Sequence, residues 1–274
     1  KKQTKALIIS ATGSGKTYLS AFDVKNFKAK KMLFLVHREN ILINAKQSFE
    51  NIIPNKTFGL FTGNKKEKDK DYIFSTIQTM SLYFEEFEKN EFDYIIIDEA
   101  HHVTSPTYKK VIEYFKPRFL LGLTATTNRM DGNSIYEIFD ENIACDIRLN
   151  DALEHDLIVP FHYFGISDIE SIDYENIDLS KIDVLARLLS VNKRVDFIIE
   201  KMNFYSFSGR KKRVLGFCVS KEHANFMSEE FNKKGIISVS LTSEDTIFKR
   251  EEYIKRLEDE HDSLEVIFTV DIFN

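Results

Sequence analysis

Short, wholly apolar runs alternate with amphipathic stretches of helical length along the first 150 residues. Candidate strands lie at 6–10, 32–37, 57–61, 72–75, 94–98 and 119–123, with helix-like segments at 16–28, 38–51, 78–88 and 106–115 among them. A run that is apolar at every position suits a strand buried on both faces, which requires a parallel sheet covered by helices on both sides. Right-handed crossovers then bring the C-terminal end of every strand to one sheet edge, where the loops carry the chemistry. A connecting strand at 143–149 leads through a short helix to 160–166. Helix-like stretches at 182–190 and 192–205 follow. A second strand–helix–strand pattern then runs through 214–219, 221–234, 238–242, 246–258 and 266–270.

Composition narrows the class further. The chain has 274 residues, and at roughly 150 residues per domain that suggests two domains. Hydrophobic residues make up 43% and charged residues 30%, an ordinary globular mix. No run approaches the ~18 apolar residues of a membrane span, and the basic start KKQTKALIIS has no small-residue cleavage site after it. Two cysteines, Cys145 and Cys218, are too few for a disulfide framework, so a reducing, cytoplasmic setting is expected. Charge is uneven. Residues 1–31 carry eight Lys and one Asp, a local +7, which leaves −12 on the remainder of a chain whose net charge is −5. A second basic knot spans Arg210, Lys211, Lys212 and Arg213, read either as solvated surface or as a backbone contact. Residues 167–183, with six acids and one Lys, read as a linker or an exposed subdomain.

The sharpest local signal is Ala11-Thr12-Gly13-Ser14-Gly15-Lys16-Thr17, set between a strand and a helix. Such a junction aims backbone N–H groups and the positive end of a helix dipole at a phosphate. Gly13 and Gly15 let the backbone curl, Lys16 reaches the β- and γ-phosphates, and Thr17 offers a hydroxyl to Mg²⁺. The strict phosphate-loop pattern has Gly where this chain has Ser10. The second signal is Tyr94-Ile95-Ile96-Ile97-Asp98-Glu99-Ala100-His101, an apolar strand that ends in two carboxylates. At the same sheet edge these face the loop, Asp98 toward Mg²⁺ and Glu99 toward the attacking water. His101 and His102 have no cysteine or third ligand at zinc-site spacing.

ATGSGKT followed by DEAH resembles a superfamily-two helicase or translocase, and further motifs fall in the expected order. Leu35-Val36-His37-Arg38, Thr62-Gly63 and Ser75-Thr76-Ile77-Gln78-Thr79 resemble the nucleic-acid-contacting elements. Gly122-Leu123-Thr124-Ala125-Thr126 resembles the coupling motif. Leu215 to Ser220 resembles the opening of a second RecA-like domain, and Phe268 to Asn274 the start of the fifth motif. The DEAHH run, the LGLTAT-x-x-R-M-D-G segment and Leu157 to Gly165 resemble a bacterial, restriction-type subgroup, with Thr127 where that subgroup carries Pro and Arg129 matching.

The resemblance implies an α/β fold: a RecA-like parallel sheet over 1–160 that binds ATP, a connecting region over 161–207 and a partial second RecA-like domain over 208–274. It implies ATP and Mg²⁺ as cofactors, and catalytic roles for Lys16, Asp98, Glu99 and His101. Thr12 to Thr17 would hold the nucleotide, and Thr17 with Asp98 the metal. Thr124 and Thr126 would couple hydrolysis to movement. Arg38, Thr62, Gly63, Thr76, Gln78, Ser220 and Thr269 would contact nucleic acid, DNA in preference to RNA. Read without the resemblance, Arg38 is a helix-start residue, and Thr62, Gly63, Thr76 and Gln78 are ordinary turn, cap and surface types. The expectation is therefore an ATP-dependent helicase or translocase fragment, weakly active alone, joined to further domains of a parent chain that carry the adenine-reading element and the arginine fingers. Two competitors are a small-molecule kinase and a non-hydrolysing nucleotide- or nucleic-acid-binding regulatory module. The second strand–helix pattern counts against the kinase, and the intact Lys16, Asp98 and Glu99 count against the module for the parent protein but not for this fragment.

Overall fold

The computed structural model describes residues 3–126, 135–169, 181–206 and 211–270. Thr127, Arg129, Arg210, most of the acidic stretch and the last four residues of the fifth motif lie outside them. The chain divides into two compact units, residues 1–162 and 163–274.

In the first unit the elements run β1 (Lys5–Ser10), α1 (Lys16–Phe27), β2 (Met32–Val36), α2 (Glu39–Ile52), β3 (Phe58–Phe61), β4 (Tyr72–Thr76), α3 (Ile77–Tyr83), β5 (Tyr94–Ile97), α4 (Pro106–Tyr114), β6 (Phe119–Thr124), α5 (Ile135–Ile138), β7 (Ile143–Ile147) and α6 (Leu149–Glu154). The seven strands form one sheet in the order β3-β4-β2-β5-β6-β1-β7, and every pairing is parallel. β2, β4 and β5 are buried along their whole length, which is why their sequences are apolar without alternation. Alternate residues serve opposite faces. Leu33, Leu35 and Ile97 pack with Met80, Tyr108 and Val111 of α3 and α4, whereas Phe34, Val36 and Ile96 pack with Val24, Leu42 and Phe49 of α1 and α2. Tyr94, deep in the second layer, donates its hydroxyl to Asp23 of α1.

One expectation is corrected. The helix expected to reach Glu88 ends at Tyr83 and gives way to a 3₁₀ turn over Phe84–Glu86. Phe84 and Phe87 there enter the core at a spacing of three, which suits the tighter turn. Residues 160–166 form no strand, and all seven are exposed; Pro160 also lacks the N–H a ladder needs.

The second unit begins with α7 (Ile182–Leu189) and α8 (Asn192–Tyr205), then β8 (Val214–Phe217), α9 (Lys221–Lys233), β9 (Ser238–Leu241), α10 (Ile247–Glu258) and β10 (Val266–Thr269). Its three described strands are parallel in the order β8-β10-β9. Phe268 and Val266 pack with Val195 of α8 and Phe231 of α9 on one face, and Ile267 packs with Leu257 of α10 on the other. Among the described residues no helix is long and apolar enough to cross a membrane.

Candidate nucleotide and nucleic-acid site

Because every strand of the first unit runs the same way, the motif residues gather at one edge. Ser10 ends β1, and Gly13 and Gly15 adopt φ of 83° and 85°, a left-handed backbone that side chains disfavour. Gly15 is the residue immediately before α1, so the first turn of that helix opens on the loop. Ser10 sits in strand geometry, 3% exposed. Its hydroxyl meets Ser14 Oγ at 2.6 Å, and Ser14 donates to the Ala11 carbonyl at 2.6 Å. The side chain that departs from the strict loop pattern therefore ties the loop down. Lys16 Nζ donates to the carbonyls of Ser10 at 2.9 Å and Ala11 at 3.2 Å. Burial lowers its pKa, while the carboxylates of Glu99 and Asp98 act in the opposite direction.

Asp98 follows β5, and its N–H donates to Leu35 O at 2.9 Å. Burial, then the neighbouring Glu99 carboxylate, pushes its carboxyl up to about 6. A buried carboxyl so disfavoured as an anion is a natural partner for a cation. Glu99 has φ of 51°, a strained conformation for a non-glycine residue. His101 Nδ1 lies 3.2 Å from Glu99 Oε2 and 3.3 Å from Thr124 Oγ1. Thr124 spends its own proton on the Thr126 carbonyl at 2.6 Å and accepts from Thr126 N–H at 3.2 Å. Both oxygens facing Nδ1 are thus acceptors, so Nδ1 carries the proton. The hydrogen bond to His101 holds the Glu99 carboxyl below its usual value. Lys16, Asp98, Glu99, His101 and Thr124 accordingly form one linked group, and Thr12 to Thr17 stand at its loop side.

The other half of the same edge holds the remaining motif residues of the first unit. Arg38, Gly63 and Gln78 are exposed, with Arg38 at the start of α2. Thr62 is 2% exposed, and its hydroxyl has no partner among the described residues. Thr76 caps α3 by accepting from Thr79 N–H at 3.3 Å and donates to Thr79 Oγ1 at 2.9 Å. In the second unit, Ser220 caps α9 through His223 N–H at 3.2 Å, and Thr269 is wholly buried at the end of β10. The four hydroxyls thus serve caps or interior positions. Backbone N–H groups and the exposed Arg38, Gly63 and Gln78 form the open surface. Sequence reasoning gave Tyr108 no place and did not foresee that His37 and His102 meet. Gln78 Nε2 lies 3.2 Å from His37 Nδ1, and the His37 ring stacks on His102. The Tyr108 hydroxyl is buried without a described partner. The doubled His of DEAHH was the available signal.

A phosphate loop and an acid pair on one parallel-sheet edge define the class as a RecA-like nucleotide-binding domain. Comparison with known proteins sharpens this. Residues 1–129 match the family model described as "Type III restriction enzyme, res subunit". A Saccharomyces cerevisiae protein named as an ATP-dependent helicase is 28% identical over 156 residues, which are 50% of this chain and 23% of that protein. The EcoAI endonuclease subunit of an Escherichia coli type I restriction enzyme is 24% identical over 173 residues, 58% of this chain and 21% of its own length. A solved fragment assigned to the HsdR subunit of a Vibrio vulnificus type I restriction enzyme aligns over 98% of this chain and 50% of its own, with a TM-score of 0.66 at 20% identity. The chain is thus similar to restriction-enzyme-like helicases of superfamily two, and its matches span less than a quarter of these two curated relatives.

Proposed function

We propose that this chain is the motor portion of an ATP-dependent helicase or translocase that moves along DNA in the cytoplasm. One observation carries the reading. The nucleotide group (Lys16, Asp98, Glu99) and the open surface at Arg38, Gly63 and Gln78 share one edge of one sheet. DNA rather than RNA is favoured by the restriction-type relatives. The working division is an ATP-binding domain over 1–160, a connecting region over 161–207 and a second RecA-like domain beginning at 208.

Each residue then has a task. Lys16 exchanges its two backbone carbonyls for the β- and γ-phosphates, and the N–H groups of the loop hold the phosphate oxygens. Glu99, its carboxylate anchored by His101, orients the attacking water. Thr124 and Thr126 sense the state of that carboxylate through His101. Thr17 and Asp98 would hold Mg²⁺, which neutralises phosphate charge when bound. The donor set fits: one hydroxyl and one buried carboxylate. Mg²⁺ characteristically takes one or two carboxylates and completes its shell with phosphates and water.

The test is ATP turnover by the full chain with and without single- and double-stranded DNA and RNA. Lys16→Ala should abolish nucleotide binding. Glu99→Gln should retain nucleotide while hydrolysis falls by about 10²-fold or more, the scale of a lost general base. Turnover that neither variant changes would refute the motor reading, and stimulation by RNA alone would refute the DNA assignment.

A further inference from the structure

Strand order puts four motif ends side by side, two of them carrying histidines. β4, β2, β5 and β6 are consecutive in the sheet, with Leu35 in register with Ser75 on one side and Ile97 on the other. Their C-terminal ends deliver Gln78, His37, the His101–His102 pair and Thr124 in that spatial order. The side chains touch in the same order. Gln78 Nε2 lies 3.2 Å from His37 Nδ1. The His37 and His102 rings stack with centroids 5.1 Å apart and planes at 29°. His102 and His101 follow at 4.1 Å and 46°, and His101 ends the row on Glu99 and Thr124. One end is exposed at Gln78 and His37, and the other reaches the nucleotide group.

We propose that His37 and His102 are positioning residues, and that this ring-to-ring row transmits nucleic-acid engagement at Arg38 and Gln78 to the Glu99 carboxylate. The inference rests on the motor reading above and adds its means of stimulation. A strand bound at Arg38 and Gln78 shifts the His37 ring, and packed rings pass the shift to His102 and His101 because neither can slide without losing its stack. Glu99 is the responsive end. Its left-handed backbone is held by its surroundings, so a small change in the His101 contact re-aims the carboxylate.

The test uses His102→Ala and His102→Phe in the full chain. The readouts are unstimulated ATPase, DNA-saturated ATPase, Kd for a fluorescent oligodeoxynucleotide, and melting temperature. His102→Ala should leave unstimulated turnover and oligonucleotide Kd within about twofold, and lower the DNA-saturated kcat about tenfold, a coupling of ordinary size. His102→Phe, which keeps a ring in the stack, should restore most of that loss. The double variant His37→Ala/His102→Ala should be no worse in stimulation than His102→Ala alone, as residues in one row are non-additive. Wild-type stimulation in His102→Ala, or a loss that His102→Phe does not restore, would overturn the row while leaving the motor reading intact. A wild-type chain unresponsive to every nucleic acid would overturn both.

Discussion

Replacing Ser10 by Gly restores the strict phosphate-loop pattern, and the structure predicts that it weakens the protein. Ser14 has committed its proton to the Ala11 carbonyl, so the 2.6 Å contact between the two hydroxyls is a bond donated by Ser10. A net intramolecular hydrogen bond contributes about 0.5–1.5 kcal/mol. Ser10 has no positive φ, so glycine gains nothing from its freedom there and costs about a further 0.5–1 kcal/mol as a strand residue. The expected loss is about 1–2.5 kcal/mol. At roughly 2–4 °C per kcal/mol for a unit of this size, the melting transition of the first unit should fall by about 2–10 °C. Calorimetry of Ser10→Gly against wild type, with nucleotide affinity measured in parallel, is the assay. A variant that melts at or above the wild-type temperature, or binds nucleotide more tightly, refutes the view that this serine ties down the loop.

Asp98→Asn should stabilise the fold while abolishing hydrolysis. The folded carboxyl is pushed up to about 6 from the ordinary 3.8 of an aspartate. Between these values unfolding releases a proton, so stability falls as pH rises, and above about 6 the full cost, at most about 3 kcal/mol, is present. The variant's advantage in melting temperature should therefore be clear at about pH 7.5 and absent near pH 4; an advantage independent of pH would contradict the burial argument. Thr76→Ala should cost about 0.5–2 kcal/mol through loss of the α3 cap. Because that hydroxyl faces inward, DNA affinity should change less than in Arg38→Ala, for which the log–log salt slope of binding should also shrink by about one. Salt titrations of the two variants by fluorescence anisotropy check both statements.

Strands β2, β4 and β5 were legible because their burial is total. A segment such as Met32-Leu33-Phe34-Leu35-Val36 has no polar position to confuse with a helix face. The end of α3 was not, since Phe84 and Phe87 keep an apolar spacing that a helix or a tighter turn satisfies equally well until packing decides. At the site, the phosphate loop and the acid pair announced themselves because their chemistry is encoded within a few consecutive residues. The role of Ser10 was invisible, as it depends on the direction of the Ser14 proton.

What consecutive residues do not encode is which motif lies beside which, and function at this edge depends on that. In chain order His37, Gln78, His102 and Thr124 are separated by segments of very different length. In the sheet they end adjacent strands, because β2 enters between β4 and β5. Had β4 paired with β5 directly, Gln78 would lie next to the acid pair and His37 would be remote from it. The same residues would then offer no continuous path from the open surface to Glu99. Motif identity thus bears on what each loop does alone, whereas under the proposed coupling strand order decides whether a strand bound at Arg38 would be felt at Glu99. The His102 substitutions alter that adjacency while sparing the residues assigned to either chemistry, and so address strand order as a functional determinant in its own right.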